Sequence, residues 1–348
     1  EHLLIMGCSA SRTINEEFIN DIESKQLNEA CHSKNIKYFF ITCFNFLDSK
    51  NDLFKAIDLK DLNNCNEKTS CFVIKAMPYE SDEEQYLLKR ELHIMDIIAD
   101  ESLFIKYIDS FDIIYHERPH KFLVMNFYNN FDLFEFEISP NTNVQPFSID
   151  EKIYIAFKML KMLQRLKQRR ILHHDIKLEN FLLKKRSPIE LILTDFETAE
   201  EINKYSTSFA GTIIYMAPEI LLTSDHTHDY QADLWSLGVT LYGLFSHCHP
   251  FYIDTNYSKD LDYVRNCILR NNLINPYGLI PDNVWECISA MLIKDPKQRI
   301  TVEQAIQLEV FKNMKYAEKE EKRMASFLFE EANEAKKMLC NDDEPEHV

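Results

Sequence analysis

The chain contains very little glycine. Five glycines occur among 348 residues, and none of them lies between positions 8 and 210. Glycine-rich loops that hold phosphates on backbone N–H groups, whether of the dinucleotide or the Walker type, are therefore excluded from the first half of the chain. Gly278 lacks the alternating Asp or Asn ligands of a calcium loop, so an EF-hand is excluded as well.

Positive charge and long apolar runs are also scarce. Lys and Arg total 39 against 56 Asp and Glu, and the net charge of −17 disfavours broad contact with nucleic acid phosphates or anionic membranes. No apolar run reaches the roughly 20 residues that span a bilayer. The nine cysteines show no CxxC spacing, which favours reduced thiols over a zinc cluster. We therefore expect a cytoplasmic protein without a nucleic acid partner.

The composition is that of a folded protein, with 45% apolar residues, 24 Phe and 16 Tyr. Up to about position 126, β-type runs rich in Phe, Ile and Val surround one predicted helix over 82–99, and helical periodicity prevails afterwards. The capping box Ser148-Ile-Asp-Glu151 begins the first long helix. We therefore predict an α+β fold with an N-terminal extension over 1–36, a β-rich lobe over 37–126, a helical lobe over 127–312, and a C-terminal helix with an acidic tail over 313–348.

Six ordered motifs carry the chemistry. They are Phe72-Val-Ile-Lys75 with Glu91 sixteen residues later, His173-His174-Asp175-Ile-Lys177-Leu-Glu-Asn180, Thr194-Asp195-Phe196, Gly211-Thr212-Ile-Ile-Tyr215-Met-Ala217-Pro218-Glu219, Asp233-Leu-Trp-Ser-Leu-Gly238 and Asp295-Pro-Lys-Gln-Arg299. In this order and spacing they resemble the motifs of eukaryotic Ser/Thr protein kinases over residues 44–311, and the pattern is closest to the calcium/calmodulin-regulated group. The resemblance implies a two-lobed kinase fold, with a nucleotide cleft between a β-rich N-lobe and an α-helical C-lobe.

The same resemblance implies ATP and Mg²⁺ as cofactors and Ser or Thr of protein substrates as phosphate acceptors. Asp175 would accept the substrate hydroxyl proton, and Lys177 would steady the γ-phosphate. Asn180 and Asp195 would hold Mg²⁺. Lys75, paired with Glu91, would hold the α- and β-phosphates, with Glu219 paired to Arg299 in the C-lobe. The remaining nucleotide contacts implied by the resemblance are Leu53, Val73, Met125, Asn126, Phe127 and Leu182.

The sequence departs from the family around the phosphates. Counting back from Leu53 places Phe46, Asp48 and Asn51 at the three positions where the family has glycine. Side chains at these positions hinder the approach of backbone N–H groups to phosphates, and Asp48 adds a like charge. Val73 also stands where the family usually has Ala over the adenine. Nucleotide affinity should therefore be reduced.

Two further departures concern the catalytic motifs. Glu197 replaces the glycine after Asp195-Phe196 and adds a second carboxylate near the metal ions. His174 replaces the arginine that pairs with a phosphorylated activation segment, so Ser208 is interpreted as an ordinary loop hydroxyl. Two hypotheses stay open, namely an active Ser/Thr kinase that tolerates a degenerate glycine loop, and a pseudokinase that acts as a scaffold or allosteric partner.

Both ends of the chain leave alternatives open. Met6-Gly7-Cys8-Ser9 resembles an acylation signal, which would anchor the protein to a membrane, or it occurs by chance. The stretch Glu16–Leu27 is either a short helix or a mobile arm. The helix predicted from 313 onward occupies the place of an autoinhibitory segment. Its ten acidic and five basic residues over 317–348 disfavour calmodulin binding and favour a solvated or lobe-packed helix.

Two acidic residues bear on substrate choice. Glu179 and Asp132 stand at positions where related basophilic kinases receive arginines that precede the phosphorylated residue. A charge-assisted pair with a substrate Arg would favour basic peptides. The alternative is that both residues are solvated surface acids.

Overall fold

The computed structural model of the chain describes residues 22–44, 51–64, 71–128, 132–138, 145–202, 210–222 and 229–314. The helices in these residues are α1 (Ile22–Ser33), α2 (Asp82–Ile97), α3 (Leu133–Glu137), α4 (Ile149–Gln168), α5 (Pro218–Leu222), α6 (Tyr230–Ser246), α7 (Leu261–Arg270), α8 (Asp282–Met291) and α9 (Val302–Ile306). The strands are β1 (Tyr38–Phe44), β2 (Asp52–Asp58), β3 (Cys71–Pro78), β4 (Tyr107–Tyr115), β5 (Arg118–Asn126), β6 (Ile171–Leu172), β7 (Phe181–Arg186), β8 (Ile189–Leu193) and β9 (Glu200–Glu201).

The first five strands form one antiparallel sheet in the order β1-β2-β3-β5-β4. Alternating aromatic residues fill one face of this sheet, where Phe40, Phe54 and Phe122 are almost fully buried. Phe111 stacks on Phe122 with ring centroids 5.4 Å apart. The aromatic content of the sequence thus builds the N-lobe core, because large side chains on alternate positions share one face of a pleated sheet.

Helix α1 packs against the edge strand β1 and the aromatic cluster of this sheet. Leu27 and Cys31 are buried in the same cluster as the sheet aromatics. The Asn28 side chain donates a hydrogen bond to the Phe40 carbonyl at 3.0 Å and accepts one from the Phe40 N–H at 2.8 Å. The helix alternative for the N-terminal stretch therefore fits the part of it that the structure describes, from Ile22 onward, and positions 16–21 lie outside the described residues.

Helix α2 lies against the sheet and positions one of the predicted site residues. Ser81 and Glu84 form a capping box at its start, which satisfies backbone N–H groups that lack helical partners. Its buried face consists of Leu88, Glu91, Ile94 and Met95. Glu91 is therefore a charged residue on an otherwise apolar face, and it requires a partner at that position.

The C-lobe is built around two long helices. Helix α4 begins at the predicted capping box of Ser148 and Glu151, and α6 is buried along almost its whole length. A Cβ atom at Gly238 would come within 3.0 Å of the side chains of Met291 and Leu292, so glycine allows α6 to approach the end of α8. This packing makes α6 a rigid support for the loops above it.

Several element bounds differ from the sequence predictions. Strand β5 begins at Arg118, not at Phe122, because the tight turn at His116 and Glu117 adopts left-handed backbone angles that connect it directly to β4. Helix α9 ends at Ile306, and a separate 3-10 turn follows over Glu309–Phe311. The β7–β8 hairpin was not predicted. Among the described residues, no helix combines the length and apolar character needed to cross a bilayer.

Candidate active site

Lys75 lies in the middle of β3 and is buried, with 6% of its surface exposed. Its Nζ atom is 3.0 Å from each carboxylate oxygen of Glu91 on α2. Each of these buried charges thus has its counter-ion, as burial of a charge requires. The strand lysine and the helix glutamate are joined as the sequence predicted.

Two further carboxylates surround the same ammonium group. Glu197 Oε2 lies 3.0 Å from Lys75 Nζ, and Asp195 Oδ1 lies 3.9 Å from it. Burial acts to lower the pKa of Lys75, but the charges of Glu91, Asp195 and Glu197 raise that pKa above its usual value. Burial raises the pKa of Glu91, and Asp195 and Glu197 add to the rise although Lys75 opposes it. Lys75 is therefore a cation in an acidic surrounding.

The loop that carries Asp175 is fixed from below by α6. The backbone N–H groups of His173 and His174 donate to the Asp233 carboxylate at 2.8 and 2.9 Å. Asp233 is 4% exposed, so this contact is protected from water. The motif that begins with Asp233 therefore positions the loop through hydrogen bonds to its backbone.

The Asp175 carboxylate is surrounded by donors. It accepts contacts from Lys177 Nζ at 2.7 Å, from Thr212 Oγ1 at 2.7 Å, from Thr212 N–H at 2.9 Å and from Asn180 Nδ2 at 3.1 Å. Burial acts to raise the pKa of Asp175, but Lys177 and the hydrogen bonds hold that pKa below its ordinary value. Asp175 is thus an ionised acceptor with a fixed orientation.

Asn180 and Asp195 offer oxygen atoms of the type that Mg²⁺ prefers. The Asn180 amide nitrogen donates both to the Asp175 carbonyl at 2.7 Å and to its carboxylate, so the amide oxygen is the atom suited to a cation. The Asp195 side chain is 43% exposed. The next residue, Phe196, is fully buried and packs on Phe104 and His173, which anchors the segment. The donor set therefore fits a hard cation.

The predicted apolar nucleotide contacts lie on strands of both lobes, with Leu53, Val73 and Met125 on β2, β3 and β5 and Leu182 on β7. Val73 pairs with Met125 across β3 and β5, and Leu53 pairs with Lys75 across β2 and β3. Val73 and Leu182, which lie in different lobes, both pack on the apolar cluster that contains Met125. Their role in binding a nucleotide stays a prediction.

Asn126 and Phe127 lie at the end of β5, where the chain leaves the sheet. The Asn126 N–H donates to the Lys106 carbonyl at 3.2 Å, and the Phe127 N–H donates to the Cys71 carbonyl at 3.4 Å. These bonds hold the end of β5 to its neighbours. Asn126 and Phe127 therefore have fixed backbone positions.

The C-lobe contains the second predicted ion pair. Arg299 donates two parallel hydrogen bonds to Glu219, at 2.7 and 2.9 Å. Its guanidinium group also lies 5.0 Å from the centre of the Trp235 ring. A bidentate pair of this kind fixes both partners, so it joins the end of the Gly211–Glu219 segment to the C-lobe core.

Sequence reasoning missed several contacts at this site. Asn51 was recognised only as a replaced glycine, yet its side chain donates to Glu197 Oε2 at 2.8 Å. Arg90 donates to the Glu197 carbonyl at 2.5 Å and to the Glu200 carboxylate at 3.0 Å. Thr212 was interpreted only as part of the Ser/Thr pattern with Gly211, and its two contacts with Asp175 were not predicted. A local sequence pattern does not predict a contact between residues more than 100 positions apart.

Some predicted features lie outside the described residues. They are Phe46 and Asp48 of the glycine-loop positions, Ser208, the segment with Gly7 and Cys8, and the chain from 315 onward.

Residues 62–311 match the family described as protein kinase domain. The chain belongs to the protein kinase family. The two-lobed kinase fold predicted from the motifs is thereby confirmed. The match begins after β2, so the hairpin without glycines lies outside the matched residues.

Curated relatives include Ser/Thr protein kinases from animals and plants. The chain is 29% identical over 227 residues to serine/threonine-protein kinase TIO of Arabidopsis thaliana, covering 64% of this chain and 16% of that protein. It is 29% identical over 231 residues to serine/threonine-protein kinase DCLK3 of Mus musculus, covering 65% and 28%. It is 30% identical over 241 residues to the phosphorylase b kinase gamma catalytic chain, liver/testis isoform, of Bos taurus, covering 66% and 55%. The matched region thus spans only part of each relative.

Proposed function

We propose that the protein is an ATP-dependent Ser/Thr kinase that transfers the γ-phosphate to protein substrates. The observation that carries the proposal is the position of Lys75, which joins Glu91 of the N-lobe and Asp195 of the C-lobe segment through contacts of 3.0 and 3.9 Å. This arrangement aligns the phosphate-binding lysine with a metal-binding carboxylate. Phosphoryl transfer depends mainly on such positioning and on charge stabilisation.

Each of the other site residues has a role that its contacts support. Asp175 orients the substrate hydroxyl and accepts its proton, because its lowered pKa keeps the carboxylate ionised. Lys177 lies 2.7 Å from Asp175 and supplies positive charge next to the acceptor. Asn180 and Asp195 would hold Mg²⁺, which when bound neutralises phosphate charge. The apolar residues around Val73 and Met125 would exclude water from the adenine of a bound nucleotide.

The test is phosphate transfer from radiolabelled ATP by wild type and by Asp175→Asn. We expect transfer to fall by about 10²- to 10⁴-fold, the usual contribution of a general acid–base group. Asp112→Asn is the matched control, because Asp112 pairs with Lys121 on the exposed edge of the sheet. Equal transfer by wild type and Asp175→Asn would assign the signal to a contaminating kinase and contradict the proposal.

A pseudokinase is the second candidate, and one observation favours it. The Glu197 carboxylate lies 3.0 Å from Lys75 Nζ, at the place where phosphate oxygens would bind. A nucleotide that binds only the folded state raises the melting temperature. If ATP with Mg²⁺ causes no shift and no transfer is detected, the scaffold function is favoured.

We further propose that the substrate carries an Arg two or three residues before the acceptor. The supporting observation is Glu179, whose Oε2 atom is enclosed and accepts no hydrogen bond from the residues that the structure describes. Burial raises the pKa of Glu179, Lys177 opposes the rise, and Asp132 and Asp175 add to it. A substrate guanidinium would supply both the missing donor and the missing charge.

Asp132 contributes less directly than the sequence suggested. It is 2% exposed, so it is not a solvated surface acid, and its Oδ1 caps α3 by accepting the Glu135 N–H at 2.8 Å. A positional peptide array with wild type, Glu179→Gln and the control Glu190→Gln, which alters an exposed carboxylate, tests the proposal. We expect the Arg preference to be lost only in Glu179→Gln. Absence of any Arg preference in wild type would contradict the proposal.

A cytoplasmic location remains part of the proposal, with membrane association only if Gly7 and Cys8 are acylated. Two acyl chains anchor a protein stably where one does not. Incorporation of a labelled myristate analogue during expression tests this directly. Incorporation that Gly7→Ala abolishes would support the anchor, and no incorporation into the full chain would contradict it.

A further inference from the structure

The carboxylate of Glu197 contacts Lys75, the residue that the proposed function assigns to binding the nucleotide phosphates. Glu197 Oε2 is 3.0 Å from Lys75 Nζ, the same distance as the Glu91 oxygens. The family resemblance places glycine at this position, which has no side chain. The contact is therefore a property of this chain and not of the motif.

The Glu197 side chain is also held from the N-lobe. Asn51, the residue before β2, donates to Glu197 Oε2 at 2.8 Å, and Asn51 is 8% exposed. One carboxylate oxygen thus accepts from both the lysine and the amide. Since Asn51 stands at one of the replaced glycine positions, two departures from the family meet in a single contact.

The backbone of Glu197 is fixed as well. Arg90 on α2 donates to the Glu197 carbonyl at 2.5 Å, and its other guanidinium nitrogen donates to Glu200 at 3.0 Å. Side-chain and backbone contacts of Glu197 therefore both end on N-lobe residues. This places the carboxylate over Lys75 at a small entropic cost, because the segment is already ordered.

The charge around Lys75 leaves little room for another anion. An ammonium group has three donors, and Glu91 and Glu197 both lie within hydrogen-bond distance of it, with Asp195 nearby. A phosphate that approaches meets three carboxylates on one cation. Like charges at short range in a shielded site oppose binding.

We propose that Glu197 is a tethered competitor of the nucleotide phosphates. Its carboxylate holds Lys75 until a phosphate displaces it, so the chain binds nucleotides more weakly than Lys75, Asp175 and Asp195 alone would allow. The inference rests on the proposed function, because it assumes that phosphates bind at Lys75. It predicts that Glu197 weakens the binding of ligands that carry phosphates and leaves the binding of adenosine unchanged.

The test compares wild type, Glu197→Gln and Glu201→Gln. Glu201 is the matched control, because it is half-buried like Glu197 and lies on the same segment but contacts the exposed His93, 3.2 Å away. Titration calorimetry measures the Kd of ADP and of adenosine, each with EDTA and with Mg²⁺. We expect Glu197→Gln to lower the Kd of ADP by about tenfold or more in both conditions, in the range of one charge-assisted hydrogen bond, and to leave adenosine unchanged.

An unchanged Kd of ADP in Glu197→Gln would overturn the inference. Weaker binding of ADP by this variant only with Mg²⁺ would also overturn it and would make Glu197 a metal ligand. The rate at which an amine-reactive reagent labels Lys75 in the nucleotide-free protein, measured by mass spectrometry, separates the inference from the proposed function. Faster labelling in Glu197→Gln than in Glu201→Gln supports the contact even if no nucleotide binds, whereas equal labelling contradicts it.

Discussion

The cluster around Asp175 and the cluster around Lys75 balance charge in opposite ways. Asp175 is one carboxylate with donors from Lys177, Asn180 and Thr212, and its pKa is lowered. Lys75 is one ammonium group among three carboxylates, and the pKa of its partner Glu91 is raised. The charge of Asp175 is thus balanced by surrounding donors, while the Lys75 cluster carries excess negative charge.

This difference has a structural origin. The groups around Asp175 come from C-lobe segments, and α6 holds the loop that carries Asp175 through Asp233. The groups around Lys75 come from α2, from the segment after β8 and from the residue before β2, and two of them, Asn51 and Glu197, replace glycines. Under the proposed function, the departures from the family at Lys75 would therefore change nucleotide affinity while the loop around Asp175 keeps its geometry. Removing a carboxylate should then have very different effects in the two lobes.

The largest effect is expected for Glu219→Gln in the C-lobe. Arg299 is fully enclosed, and the substitution leaves its charge without a carboxylate partner. We expect the free energy of unfolding to fall by about 3 to 5 kcal/mol, as for other broken buried pairs. Urea unfolding measures the loss, with Glu309→Gln as the control because Glu309 forms an exposed pair with Lys312. A loss no greater than that of the control would contradict the rigid support that we assign to the C-lobe.

A pH-dependent loss of stability is expected from His249, which contacts the segment that carries Thr212, a partner of Asp175. Its Nε2 bonds to the Ile214 carbonyl at 3.0 Å, in the turn after Thr212, and its Nδ1 accepts the Phe251 N–H at 3.2 Å. Burial lowers the pKa of His249 to about 4, and the bond to Ile214 opposes this shift. The folded pKa lies below the unfolded value of 6.5, so the neutral form is favoured in the fold.

The sign of the effect follows from this order of pKa values. The stability that neutral His249 contributes is complete above about pH 6.5 and is lost as the pH falls towards 4, by about 3 kcal/mol in total. Urea unfolding between pH 4 and 7 measures it, and His249→Phe should remove this part of the slope. An equal slope in wild type and His249→Phe would show that another group causes the pH dependence.

The sequence predicted the components of both clusters because each belongs to a motif with fixed spacing. Lys75, Glu91, Asp175 and Asp195 could be identified in this way. The contact of Asn51 with Glu197 could not, since it joins residues 146 positions apart and depends on how the two lobes meet. The docking of α1 on β1 was also missed, because its amphipathic pattern does not say which surface it covers. Motifs thus indicate which motif residues meet, while the contacts of residues that replace motif glycines can be found only in the structure.

The smallest effect is expected for Glu197→Gln on stability. Lys75 keeps Glu91 at 3.0 Å and Asp195 at 3.9 Å after the change, so its charge remains compensated. Loss of one carboxylate also relieves repulsion among the three, which offsets the lost ion pair. We expect the free energy of unfolding to change by less than about 0.5 kcal/mol, within the range of ordinary surface substitutions. Urea unfolding beside Glu219→Gln makes the comparison direct. A loss of Glu197→Gln as large as that of Glu219→Gln would mean that Glu197 holds the lobes together as a structural ion pair, and the excess negative charge at Lys75 would then be part of the fold's stability.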